Sequence, residues 1–199
     1  MKGAVLMFLF VGLGNPGPQY ENNRHNVGFM AIDVIAHAYN FPSFSSKHQG
    51  LLSQGQIAGH KVFLLKPQTF MNLSGQSVRA VADYYKIPTE NIIVFHDELD
   101  IAHATLKVKK GGGHGGHNGL RNIAAHLGLD FYRVRLGIDH PGNKNLVHSF
   151  VLQDFGKRER DMMDELVEDA VREIPLLLDD VISGKTSTYT TKLALRRKD

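Results

Sequence analysis

Two short stretches constrain this chain more than any other part of it. Val5 to Val11 (VLMFLFV) and Ile92 to Phe95 (IIVF) are apolar at every position, and each runs on into a turn or a polar segment. A strand with one wet face alternates apolar and polar side chains, whereas a short unbroken apolar run fits a strand covered on both faces. Such strands need helices above and below them, so these two are read as the central strands of a sheet.

The remaining periodicity supplies helices and outer strands. Apolar residues three and four apart at Val27, Met30, Val34 and Ala38, at Val78, Val81, Ala82 and Tyr85, and at Met162, Leu166, Ala170 and Ile174 predict three amphipathic helices, the last perturbed at Pro175. Further strands are expected over Lys61 to Leu65, Ala104 to Lys109 and Tyr132 to Ile138. The last two alternate, which sets Lys107 and Lys109, with Arg133 and Arg135, on one basic face. Strands and helices alternate along the chain, so the expected fold class is α/β: a single-domain layered fold with a mixed, mostly parallel twisted sheet surrounded by helices.

No linker or shift in composition divides the 199 residues, which are read as one domain over 1–199. The basic tail, 185–199, is expected to be frayed and solvated. The chain has no cysteine, which excludes a disulfide framework, a Cys-based zinc site and a thiol nucleophile, and fits a reducing cytoplasm. Catalysis must then rest on histidines, carboxylates or hydroxyls. The opening MKGAVLMFLFVGLG resembles a signal sequence only in its lysine and apolar run; it ends in a turn rather than a small-residue cleavage site and is read as a first strand. No stretch approaches the ~20 apolar residues of a membrane span.

A net charge of +3 conceals a polarised molecule. Residues 154–180 hold ten acids and four bases, leaving nineteen bases against ten acids elsewhere. Lys107, Lys109, Lys110, Arg121, Arg133, Arg135 and Lys144 face only Asp130 and Asp139 in their part of the chain. This is either a solvated face or the footprint of a polyanion such as nucleic acid.

Gly12-Leu13-Gly14-Asn15-Pro16-Gly17 matches a dinucleotide-binding pattern but lacks its context. Pro16-Gly17-Pro18 builds a turn and delays the helix to about Asn22, and Asp33 falls inside that helix rather than at a strand end. The turn instead holds Asn15 at the end of a central strand. Asn22 or Asn23 can cap the helix that follows, placing His25 in its first turn, where the helix dipole favours a neutral imidazole able to act as a general base. Asp97, emerging from the second central strand, is placed to form a His/Asp dyad with His25, although Glu98 and Asp100 are alternatives.

Asn72 and Ser74, in PQTFMNLSG, are either a helix cap or site residues. Asn118 ends the stretch GGGHGGHN. Asn15, Asn72 and Asn118 together suggest a polar, uncharged cradle for carbonyls or amides. The glycine stretch lacks the GK[ST] of a phosphate loop. A zinc site at His114 and His117 lacks helical register and an obvious third ligand, so no metal is expected. The glycines are read as backbone held close to a ligand, leading into a helix near His117 whose N–H groups face the site, and the two histidines as structural.

Taken together, GLGNPGPQYENNRHNVGF, PQTFMNLSG, HDELD, GGGHGGHNGL, RVRLGI and HPGNKNLVHSFVL resemble the bacterial peptidyl-tRNA hydrolases over about residues 8–155. The resemblance implies a phosphorylase/hydrolase-like fold and hydrolysis of the ester between a peptide and the tRNA 3′ end, by a cytoplasmic monomer without a cofactor. It implies that His25 is the base, that Asp97 orients it, and that Asn15 helps distinguish an N-blocked aminoacyl group from a free one. Asn72 and Asn118 are similar to residues that bind the peptide backbone and reacting carbonyl, Phe70 and Tyr20 to residues lining the tRNA-end or peptide site, and Lys109 and Arg135 to a pair gripping tRNA phosphate. His140 to Phe150 is expected to act as a movable lid. The rival readings are an RNA-binding protein without catalysis, which leaves the dyad and the amides unexplained, and a metal-dependent hydrolase.

Overall fold

A computed structural model describes residues 4–196. Among these residues seven strands form one sheet in the order β2-β3-β4-β1-β5-β7-β6: β1 (Met7–Gly12), β2 (Ser45–Lys47), β3 (Gly50–Ile57), β4 (His60–Pro67), β5 (Ile92–Glu98), β6 (Leu106–Lys110) and β7 (Tyr132–Gly137). The central four, β4-β1-β5-β7, are parallel, while β2, β3 and β6 join antiparallel at the two edges. The expected mixed sheet is present, with its parallel part confined to the middle. Both apolar runs lie there, side by side, with Gly12 opposite Phe95. The first starts two residues later than its sequence suggests, since Val5 precedes β1 and is exposed.

Alternate side chains of the central strands fill two cores. Phe8, Phe10, Ile93 and Phe95 pack beneath α1 (Val27–Ala38) and the C-terminal helices α5 (Lys157–Arg172), α6 (Ile174–Ile182) and α7 (Thr188–Arg196). Leu9, Val11, Ile92 and Val94 pack beneath α2 (Ser74–Tyr85) and α3 (Asn118–Leu127). A short helix, α4 (Val147–Val151), lies between β7 and α5.

The helices depart from expectation in instructive ways. The buried stripe of α1 is Val27, Ala31, Ile32 and Ile35, so the spacing was real but the face is rotated from Met30, Val34 and Ala38. In α5 the buried methionine is Met163 rather than Met162, and Pro175 opens α6 at its first turn, where its missing N–H costs nothing. Residues 188–196 of the basic tail are not frayed: α7 buries Tyr189 and Leu193, the Tyr189 hydroxyl donates to the Ala170 carbonyl (3.0 Å), and Asp180 accepts from the Tyr189 N–H (2.9 Å). Residues 197–199 of that tail lie outside the described residues.

The segments after β1 and β4 leave for opposite faces, α1 to one and α2 to the other. A crevice therefore opens at the carboxyl ends of these strands, where ligands bind in open α/β sheets.

Candidate active site

A cleft of about 890 Å³ occupies that crevice and is lined by Asn15, Tyr20, His25, Phe70, Asn72, Asp97 and Asn118, seven residues singled out by sequence. They come from four places in the chain. Asn15 follows β1, Phe70 and Asn72 follow β4, Asp97 lies near the end of β5, and Asn118 begins α3.

His25 reaches Asp97 because α1 approaches the sheet closely. A Cβ on Gly28 would overlap the Phe95 carbonyl oxygen and the Leu13 backbone, so only glycine lets the first turn of α1 sit on the ends of β1 and β5. His25 belongs to a 3-10 turn, Arg24–Asn26, ahead of α1. Asn23 stands at its N-cap position, as one of the two expected candidates, but makes no side-chain cap bond; its amide instead donates to Asp154 (2.8 Å). Arg24, buried between the rings of Phe150 and Phe155, donates to the Asp154 carbonyl (3.0 Å) and Glu159 (2.8 Å), fixing the turn to the segment after α4. Sequence reasoning missed Arg24.

His25 Nδ1 lies 2.9 Å from both oxygens of the buried Asp97 carboxylate. A carboxylate can only accept, so Nδ1 carries the proton and Nε2 is left as the basic atom. Burial pulls the imidazolium pKa down, but the charge of Asp97 and its hydrogen bond outweigh burial and hold His25 above its ordinary 6.5. The helix-dipole expectation of a lowered value is thus overturned by the facing carboxylate. Burial alone would raise Asp97, yet His25 and His117 hold it well below the usual carboxylate range.

His117, read from the sequence as structural, caps a helix and also reaches the site. Its Nε2 is 2.9 Å from Asp97 Oδ1, and its Nδ1 caps α3 by accepting from the N–H groups of Gly119 (3.2 Å) and Leu120 (3.4 Å). The helix begins where expected, but these two N–H groups face an imidazole rather than a ligand. Nothing in a glycine-rich run with two histidines distinguishes His117 from His114, whose Nδ1 merely accepts from Gly116 N–H (3.1 Å). The glycines do meet their expected conformational demand, with φ positive at Gly111, Gly112, Gly115 and Gly116.

Asn15 has its amide orientation fixed from within. Its Oδ1 accepts from Met71 N–H (2.8 Å), so its NH₂ is the free end. Asn26, also missed, brackets the Asn15 backbone by accepting from its N–H and donating to its carbonyl, both at 2.9 Å. Asn72 sits within a 3-10 turn, Met71–Leu73, and Asn118 is the first residue of α3; both are exposed to the cleft, and neither is a helix cap. The buried Asn15 donor and the two exposed amides, from three strand-to-helix junctions, line the same cleft.

Lys109 and Arg135 lie outside the cleft lining, on β6 and β7. The register pairs Lys107 with Arg135 and Lys109 with Arg133, which puts all four on one face, as alternation predicted. Arg133 is not part of an accessible basic surface, however. It is buried against Phe131 and donates to the carbonyls of Gly112 and Gly113, supporting the glycine stretch from below. Arg135 is half-buried and donates to Glu98 (2.9 Å), a cleft residue. Lys109 is exposed.

His25, Asp97 and His117 also bring together three possible metal ligands. Their facing atoms are spaced as hydrogen bonds at 2.9 Å, and the other nitrogen of His117 is already used in its cap. A metal shared by the three would have to break this array, so the residues present fit a hydrogen-bonded triad better than a ligand set.

A family model described as peptidyl-tRNA hydrolase matches residues 9–196. The chain belongs to the peptidyl-tRNA hydrolase family. Peptidyl-tRNA hydrolase of Azorhizobium caulinodans is 53% identical over 189 residues, covering 95% of this chain and 91% of the relative. That of Rhodospirillum centenum is 49% identical, covering 95% and 82%. The crystal structure of peptidyl-tRNA hydrolase from Acinetobacter baumannii superposes with a TM-score of 0.88 at 40% identity, over 96% of this chain and 97% of that one. As a peptidyl-tRNA hydrolase by family, the chain is an enzyme, which removes the reading of an RNA-binding protein without catalysis.

Proposed function

We propose that the chain hydrolyses the ester between a peptide and the 3′-terminal ribose of tRNA, with His25 as general base. The observation that carries this reading is the buried contact of His25 Nδ1 with Asp97, which leaves Nε2 free to take a proton. Water in the cleft loses that proton to Nε2 as its oxygen attacks the ester carbonyl carbon. The electron pair of the carbonyl moves onto oxygen, and cleft amides donate to the resulting oxyanion. When that pair returns, the bond to the ribose oxygen breaks and His25 gives its proton to the departing hydroxyl. An ester leaving group needs no covalent intermediate and no cofactor for this sequence.

Asn15 is the specificity residue in this reading. Its Oδ1 is occupied by Met71 N–H, so it offers substrate only donors. The carbonyl of a blocked amino group can accept from them, whereas a free ammonium cannot, so blocked substrates gain a bond that free aminoacyl-tRNA lacks. Asn72 and Asn118 bind peptide backbone and the reacting carbonyl region. Tyr20 and Phe70, the latter 56% exposed, line the cleft where bases or peptide side chains stack. Lys109 and Arg135, diagonal on the same face of β6 and β7, grip phosphate. The segment 140–150, which includes the cleft residues His140, Lys144, Val147 and His148, closes over bound substrate. A monomer in the cytoplasm completes the proposal; among the described residues no helix is long and apolar enough to cross a membrane.

Deacylation of N-acetyl-aminoacyl-tRNA by the purified protein tests the assignment. His25→Ala is expected to lose about 10²- to 10⁴-fold in kcat, as for a removed general base, and a chelator is expected to leave the wild type unaffected. Full activity in His25→Ala removes the base assignment. Activity abolished by chelator and restored by zinc favours a metal mechanism instead.

A further inference from the structure

We propose that His117 is a positioning residue for the hydrolysis, holding the Asp97 carboxylate in place and sharing its charge with His25. The proposal rests on the reading of His25 as the base.

The ring of His117 is used on both sides. On one side Nδ1 accepts from the first N–H groups of α3, at Gly119 and Leu120. This fixes the neutral tautomer with its proton on Nε2, and that proton points at Asp97 Oδ1. Serine, threonine, aspartate or asparagine would cap a helix more conventionally, but none presents an acceptor and an opposed donor across a rigid ring. The imidazole thus ties the N-terminus of α3, and with it the adjacent Asn118, to the carboxylate on β5.

Asp97 consequently answers to two donors. Its Oδ1 is shared between His25 Nδ1 and His117 Nε2, and its side chain is almost wholly buried, so no water competes for it. The ring centroids of His25 and His117 are 4.9 Å apart, and those of His96 and His117 5.1 Å. Protonating His117 would turn Nδ1 into a donor facing two donors and place a second cation beside the His25 imidazolium. The ionisable groups around it are Asp97 and His96 from β5 and His25 from the turn before α1, with His114 and Glu98 in the same cleft lining. Burial, above all, pushes His96 down to about 3 and keeps it uncharged.

His117→Asn separates the two uses of the ring, because asparagine is a strong helix cap and is too short to bond Asp97. The expected result is a folded protein with an unchanged melting temperature, KM for N-acetyl-aminoacyl-tRNA near wild type, and kcat lower by about ten- to a hundredfold. That is the range for removing a hydrogen bond one step behind a functional group, as measured at metal-binding histidines. The acidic limb of the pH profile is expected to move to higher pH, since Asp97 then gives its full charge to the His25 imidazolium. Wild-type kcat, or a lower kcat with an unmoved limb, overturns the proposal. Should the variant unfold, nitrogen-15 NMR of the wild-type imidazoles decides: a proton on His117 Nε2 is required, and one on Nδ1 overturns the proposal. His25→Ala is the companion control. If it stays active the base assignment itself fails; if it is inactive and His117→Asn behaves as wild type, only this inference fails.

Discussion

The inner wall and the rim of the cleft are built on opposite principles. On the inner wall His25, Asp97, His117 and Asn15 are tied by hydrogen bonds of 2.8–2.9 Å to one another or to Met71 N–H, in surroundings that exclude most water. On the rim, Phe70, Asn72, Asn118 and, beyond the cleft, Lys109 are exposed. Groups that act on developing charge gain from being fixed before substrate arrives, because no reorganisation is then needed as the reaction proceeds. Groups that recognise a long, variable substrate gain from remaining free to meet it. The difference predicts that substitutions on the wall act on kcat and those at Phe70 and Lys109, away from the reacting carbonyl, on KM.

Asp97→Asn should be the most damaging change. Two imidazole N–H donors would face a side chain with one acceptor oxygen, so one of them would meet an NH₂ group and His25 would be pushed towards the wrong tautomer. A fall in kcat of about 10⁴-fold with little change in KM is expected, as in the Ser-His-Asp precedent. An equal fall through KM alone would break the distinction between wall and rim. Asn15→Ala removes a donor and should cost about 10²- to 10³-fold in rate on a blocked substrate. It should cost far less on free aminoacyl-tRNA, so the ratio of the two rates sharpens the assignment; an unchanged ratio removes Asn15 from specificity. Lys109→Ala should have the smallest effect. It should leave kcat alone, weaken tRNA binding severalfold and reduce the slope of log K against log salt by about one. An unaltered slope would take Lys109 out of phosphate binding.

How far the sequence could be read follows the same physical division. The central strands were legible because burial on both faces demands an uninterrupted apolar run. β3 was not: Ser53, Gln54, Gly55 and Gln56 interrupt it, and the buried Ser53 is accommodated by donating to the Pro42 carbonyl (2.6 Å). α7 was hidden for a related reason, since Tyr189 and Leu193 lie in a short segment dominated by polar and basic residues and owe their burial to α5 and α6. His25 and Asp97 were legible because adjacent parallel strands must bring their ends together. His117, Asn26 and Arg24 were not, because each acts through a contact with a distant segment whose position only the folded chain reveals. Arg133 shows the converse error: alternation put it on the correct face, but a glycine stretch rich in free carbonyls folded over it.

The central claim is that Asp97 both orients His25 and sets its proton affinity. The sign is definite. His25 must be neutral to accept a proton, so the rate falls as pH drops through its pKa, which the Asp97 charge and hydrogen bond raise above 6.5 against the opposing effect of burial. In Asp97→Asn the opposing effect remains and the raising one is gone. The most direct measurement is therefore the pH dependence of kcat/KM for N-acetyl-aminoacyl-tRNA in both proteins. The account predicts an acidic limb above pH 6.5 in the wild type that moves below 6.5 in Asp97→Asn; a limb at the same pH in both would contradict it.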